Sequence, residues 1–242
     1  MKDFFSASVG RTFEAFGLAH WIILGITVLM IVLLYVFRQR LRNWKHEKRL
    51  RYALGFLGIG FEVSLHIWQL LNGIWDYQDS APIALCFFSL AMGIYVMFTK
   101  SYRVFEIGYF WAIGGVASIL FPDIPYGWDR FRFYQFTFSH MTFFLMYLYM
   151  VFVHRYYPTW KSFLKALGYL VVLVFVIILP LDWLTNANFL FLVESGGTPF
   201  EIFEGHGYLL YLSGVVFMAI VVMFLWYLPV HFLMRKQEGV RG

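Results

Sequence analysis

The sequence holds one cysteine, Cys86, and little charge: 14% of residues are Asp, Glu, Lys or Arg, against about 25% in ordinary soluble domains. A lone cysteine excludes an internal disulfide and leaves the redox compartment unread. The shortage of charge, beside 61% hydrophobic residues and a mean hydropathy of +0.68, excludes a soluble domain with a solvated surface. So much apolar side chain is more than one core can hide, and it fits contact with lipid. No internal repeat or low-complexity tract stands out. The first apolar run has no basic stretch before it and no A-x-A site behind it, so it reads as a membrane helix and not as a signal peptide. The final apolar run, 206–230, has no lysine, which excludes a retinal Schiff base there. No H-x-x-x-H pair is found, which argues against a zinc hydrolase, although His20, His66, His140 and His206 all fall toward one side of the membrane.

What is present is apolar runs. About 20 mostly apolar residues are needed to cross a bilayer as a helix, and seven segments meet that requirement approximately: 19–37, 52–73, 82–98, 103–120, 134–153, 162–181 and 206–230. The expectation is an all-α polytopic membrane protein, a seven-helix bundle forming one domain over 1–242. Most of the 19 lysines and arginines gather on alternate connections. They lie in RQRLRNWKHEKRLR (38–51), at Lys100 and Arg103, at Arg155, Lys161 and Lys165, and at Arg235, Lys236 and Arg241. The other side keeps Lys2, Arg11, Arg130 and Arg132, with acids that include Asp76, Asp79, Asp123, Asp129, Asp182 and Glu194. Positive charge accumulates on the cytoplasmic side, so the N-terminus is expected outside and the C-terminus inside. The net charge of +5 is then a topology signal and not a mark of nucleic-acid binding. Trp21, Trp75 and Trp128 read as interface anchors.

Polar side chains within such segments are costly in hydrocarbon and turn toward the bundle interior. The second segment carries Glu62, His66 and Gln69 at i, i+4 and i+3 spacing on one face. Cys86, in SAPIALCFFS (80–89), lies about 6 Å in from the outer surface and His140 about 10 Å in, at 1.5 Å per helical residue. Gln135 and Ser139 share the fifth segment with His140. Four helices therefore bring polar groups to one zone of the outer leaflet. Each has a plain alternative. Free cysteine packs well as a small apolar residue, a histidine can join two helices by a hydrogen bond, and Glu62 can simply pair with His66. Glu106 is expected to pair with nearby Arg103, and His46, His154 and His231 to be surface residues on the basic side.

A thiol and an imidazole in one place would carry a specific chemistry. The imidazole accepts the thiol proton, and the thiolate attacks an ester carbonyl. Gln69, Gln135 or Ser139 could hydrogen-bond the oxyanion, and Glu62 could orient His66. Beneath the outer interface the available esters are those of glycerolipids, whereas acyl-CoA is charged and cytoplasmic. The chemistry that follows is transfer of an acyl chain between a phospholipid and a lysolipid without CoA, or hydrolysis if water competes. Neither a metal nor a cofactor is required. A transporter or lipid-binding protein is the alternative, with Glu62, His66 and Asn72 lining a path, though paired broken helices are absent.

APIALC (81–86), FEIGYFWAIGG (105–115), RFRFYQFTFSH (130–140), YYPTWKSFLKA (156–166) and LTNANFLFL (184–192) together resemble the YwaF-like bacterial integral membrane proteins, related to the transmembrane-protein-164 family of eukaryotes. The resemblance covers most of the chain. It implies a place in the bacterial cytoplasmic membrane and an acyltransferase acting on phospholipids and lysophospholipids through a membrane cysteine, here Cys86, with His140 as the histidine of the fifth helix. More distantly the chain is similar to lipid hydrolases with a Thr/His pair, Cys86 taking the threonine's place. One position departs: the family segment commonly reads L-P-L-H-L-C, and position 84 is alanine here. His66 or His140 is then left to act as the base. Segment 182–205 is expected to be a connecting loop, with a lid over the site as the alternative.

Overall fold

A computed structural model describes the backbone of residues 3–238, with all side chains except those of Asp79 and 233–238. Lys2 and Arg241, and the side chains of Arg235 and Lys236, lie outside what is described. Among the described residues regular structure is helical, apart from one isolated bridge between Thr12 and Tyr126. The helices are α1 Leu18–Asn43, α2 Glu47–Leu71, α3 Tyr77–Ser80, α4 Leu85–Thr99, α5 Tyr102–Trp111, α6 Ile113–Leu120, α7 Phe131–Phe152, α8 Trp160–Val172, α9 Leu179–Thr185 and α10 Tyr208–Glu238. A π-helical stretch, Leu173–Ile178, joins α8 to α9. Five helical stretches are long and apolar enough to cross a membrane: Leu18–Asn43, Glu47–Leu71, Tyr102–Leu120, Trp160–Thr185 and Tyr208–Phe232. The protein is accordingly an integral membrane protein. α4 is apolar but only 15 residues long, and α7 has 22 residues whose polar groups lower its hydropathy.

Helix boundaries depart from the expected ones for physical reasons. The basic segment 38–51 is mostly helix and not loop, because Arg, Lys and Glu are good helix formers and long cationic side chains reach a membrane surface from a helix end. α4 starts three residues later than expected, since Pro82 does not donate a backbone hydrogen bond. The fourth segment kinks at Ala112 into α5 and α6. The π turns precede Pro180, which removes one N–H and crowds the carbonyl four residues before it, so the helix widens there.

α7 is the axis of the bundle and packs against α1, α2, α4 and α6. Its buried side chains run from Phe133 to Val151. α5 bridges α4 to α8, and α10 lies against α5, α6 and α8. Two glycines let helices approach closely. A Cβ at Gly108 would meet the Tyr147 ring, and one at Gly115 would lie 2.6 Å from the Phe143 ring. Tyr147 donates its hydroxyl proton to the Ser89 carbonyl at 2.7 Å, pinning α7 to α4.

At the basic end of the bundle Glu47 is a hub. Its carboxylate accepts from His154 Nε2 at 2.7 Å and from the Tyr149 hydroxyl at 3.0 Å, and pairs with Arg51 at 3.2 Å and Lys100 at 3.7 Å. His154 is thus bound into a network instead of standing on the surface. Glu106 is buried, and its partners are not Arg103 but Lys165 at 2.7 Å and the Ser162 hydroxyl at 2.6 Å, both on α8. At the opposite end residues 3–17 strap the bundle. The Phe5 carbonyl accepts from Trp68 Nε1 and Asn72 Nδ2, the Ala7 amide donates to Asn72 Oδ1, and Phe131 N–H donates to the Phe4 carbonyl.

Candidate functional site

Pro82 and the extended backbone of Ala84 set the start of α4, so Cys86 sits in its first turn. The first amides of a helix have no partner within it, and Ala84 offers no side-chain cap. Cys86 therefore lies among the first-turn N–H groups of α4, which have no partner within the helix. Its Sγ is 3.7 Å from the Ser118 hydroxyl on α6. Gly114, one turn earlier on α6, also faces the sulfur: a Cβ there would be 4.0 Å from it, an ordinary contact.

Cys86 opens into a cavity of about 880 Å³, within the range of small-molecule sites, about 300–1,000 Å³. All seven polar residues singled out from the sequence line it: Glu62, His66 and Gln69 from α2, Cys86 from α4, and Gln135, Ser139 and His140 from α7. Ala84 lines it too. The two histidines differ in what their rings already bind. In His66, Nε2 faces the Glu62 carboxylate at 3.3 Å, and Nδ1 accepts from the Trp75 indole N–H at 3.3 Å. In His140, Nδ1 is 2.7 Å from the Phe136 carbonyl. A carbonyl only accepts, so Nδ1 carries the proton and Nε2 of the neutral ring keeps a lone pair. The ring is seated against Phe136, with centroids 4.2 Å apart.

The amide of Gln135 is occupied at both ends. Its Nε2 donates to the Phe61 carbonyl at 3.1 Å, and its Oε1 accepts from the Arg132 guanidinium. It therefore positions Arg132, and one of its two amide N–H groups is already committed to the Phe61 carbonyl. Gln69 Oε1 is buried with no donor among the described residues. Ser139 is buried, and its hydroxyl remains as a side-chain donor on the cavity wall.

Polar lining residues that were not singled out as site residues include Ser118, Asp123 and Arg132. Burial raises the Asp123 carboxyl above the usual range, against the opposing pull of Arg132. Ser118 is the polar residue near the far end of its own apolar segment, so the depth rule that selected Cys86 reaches it as well. The loop after α9 also lines the cavity, through Asn188, Phe191, Glu194 and Phe200 among others. This part of 182–205 is a wall of the site and not a plain connection. Leu190 and Phe191 both take positive φ, 60° and 57°, a conformation unfavourable for bulky side chains.

His20 is not a cavity ligand. It is buried, with Nε2 at 2.9 Å from the Ile119 carbonyl and Nδ1 accepting from the Phe16 amide. It borders only a void of about 10 Å³, and His206 is exposed on a loop. Among the described residues no three His, Cys, Asp or Glu side chains gather as metal ligands would.

The profile of the TMEM164 family matches residues 15–227 of this chain. A Treponema pallidum (strain Nichols) protein, described only as uncharacterized, is 29% identical over 131 residues. The match covers 53% of this chain and 53% of that protein, so the chain spans about half the length of the curated relative it matches. No solved structure matches.

Proposed function

Since this chain belongs to the TMEM164 family, we propose that it is a membrane-embedded transacylase, moving an acyl chain from a phospholipid to a lysolipid through a thioester on Cys86. The observation that carries this reading is the cavity shared by Cys86 and His140, with Nε2 the basic nitrogen of the imidazole. His140 takes the thiol proton, and the thiolate attacks the ester carbonyl of the donor. The tetrahedral oxyanion is held by the uncapped first-turn amides of α4 and the Ser118 hydroxyl. Collapse breaks the ester C–O bond. The departing lysolipid alkoxide takes the proton back from the imidazolium, and the acyl group stays on sulfur. An acceptor lysolipid then loses its hydroxyl proton to His140, attacks the thioester, and regenerates the thiol. Gln69 Oε1, an acceptor without a donor, is suited to hold that hydroxyl before attack.

Four details of this reading belong with it. The chain forms seven spans with its N-terminus outside, lies in a bacterial cytoplasmic membrane, works without metal or cofactor, and takes phospholipid and lysophospholipid as its partners. His66 is the weaker base because both of its ring nitrogens are engaged.

The test uses purified protein in liposomes containing a lysophospholipid and a phospholipid with a labelled acyl chain, read by mass spectrometry. Label should reach the lysolipid without CoA. Cys86→Ser should abolish transfer, and His140→Ala should lower it by about 10²–10⁴, the usual worth of a positioned base. Free labelled fatty acid as the main product would make the protein an esterase. Identical lipid profiles for wild type and variants would leave lipid transport or binding as the function.

A further inference from the structure

The polar site residues come from α2, α4 and α7, whereas the stretches of α8, its π continuation and α10 that line the cavity are apolar. α8 and its π continuation contribute Val171, Val174 and Phe175; α10 contributes Val215, Ala219 and Met223. Val215, Ala219 and Met223 follow each other at i+4 and so share one face of α10. They span about 12 Å along its axis at 1.5 Å per residue. α4 and α10 begin at the same end of the bundle. Cys86 is in the first turn of α4, whereas this row starts about two turns into α10, so the apolar wall continues from the sulfur toward the basic end. Val171 and Phe175 line the cavity and are each 42% exposed, so they are the least enclosed part of this wall. Met223 is buried at the deep end of the row. Ala219 is the smallest side chain among them and keeps the middle of the passage open.

We propose that the passage between the π turns and α10 is the binding site for the acyl chain of the lipid whose ester lies at Cys86, entered sideways past Val171 and Phe175, and that Ala219 sets the chain length admitted. This deepens the transacylase reading and depends on it only for the activity measurement. A chain with few methylenes ends before Ala219 and a long one must pass it. Each buried methylene adds to binding, so denying the deep half of the passage penalises long chains selectively.

Two measurements in liposomes test it with the full-length protein. In the first, donors with 10-carbon and 18-carbon chains compete for transfer to one lysolipid. Ala219→Trp should shift the ratio of long to short chain transferred by at least tenfold toward the short one, and Ala219→Leu should shift it less in the same direction. An unchanged ratio in correctly folded variants overturns the proposal. The second reads binding alone. In Cys86→Ser protein, a phospholipid with a diazirine near the end of its acyl chain should crosslink to residues 219–223, and adding Ala219→Trp should remove those crosslinks while leaving those at exposed Leu225. No crosslinks at 219–223, or crosslinks indifferent to the tryptophan, also overturn it. If wild type shows no transfer but crosslinks as described, the transacylase reading fails and the chain-binding site stands.

Discussion

One ring nitrogen separates the two cavity histidines. His66 has both nitrogens engaged, by Glu62 and by Trp75, and His140 has only Nδ1 engaged, by its own helix. The substitution His66→Gln is therefore expected to lower acyl transfer far less than His140→Gln. Parallel kinetics in liposomes check the ordering, and equal losses would remove His140 from its special place. The polar residues were legible in the sequence because hydrocarbon makes each of them expensive. Cys86, Glu62, His66, Gln69, Gln135, Ser139 and His140 all reached the cavity by depth and helix face alone. Their bonding was not legible. That Gln135 bonds Phe61 and Arg132 depends on rotamers and on a carbonyl from another helix, which spacing in one chain does not encode. The same holds for Glu106, whose partner across the helix interface, Lys165, is 59 positions away, whereas Arg103 is three.

Helices carry the next set of expectations. Gly115 presses α6 onto α7, with no room for a methyl group against the Phe143 ring. Gly115→Ala should cost about 1–3 kcal/mol as an overpacked contact does, and should slow transfer by moving Ser118 from Cys86. Thermal unfolding in detergent and the transfer assay read both effects. Ser162 supplies the hydroxyl that satisfies buried Glu106, so Ser162→Ala should cost about 1–3 kcal/mol in the same unfolding measurement, the penalty for an unmet buried partner. In the loop that walls the cavity, the Ser195 hydroxyl and amide hold the Glu204 carboxylate below the usual carboxylate range. A depressed value means that the loop is stabilised above the ordinary carboxylate pKa and loses that support as pH falls through the lowered one. Hydrogen exchange of the amides of 195–204 should therefore quicken on acidification in wild type, beyond the change in intrinsic rate, and Glu204→Gln should show that faster exchange already at neutral pH. Element boundaries were partly legible. Pro82 and Pro180 announced themselves, but the helical nature of 38–51 was masked by its charge, and the role of 182–205 as a cavity wall needed the fold.

At the scale of the whole molecule, the alternation of basic and acidic connections places the N-terminal strap and the 38–51 region on opposite faces of the membrane. In a Cys86→Ser background, a cysteine at Ser6 should react with a membrane-impermeant maleimide in intact cells, and one at Lys45 only after permeabilisation. The reverse pattern would invert the bundle and move the cavity to the cytoplasmic leaflet. The all-helical, membrane-spanning architecture was legible from composition and apolar runs. The strap of residues 3–17 was not, since its bonds to Asn72, Trp68 and Phe131 run through backbone atoms that every sequence shares.

Entry of the lipid past Val171 and Phe175, from the membrane side, has a kinetic corollary. A catalyst fed from within the bilayer meets its reactants by two-dimensional diffusion. Its velocity should then track the mole fraction of donor in the vesicle and stay constant when the same vesicles are diluted into more buffer, and soluble short-chain esters supplied from the water should be poor reactants at equal bulk concentration.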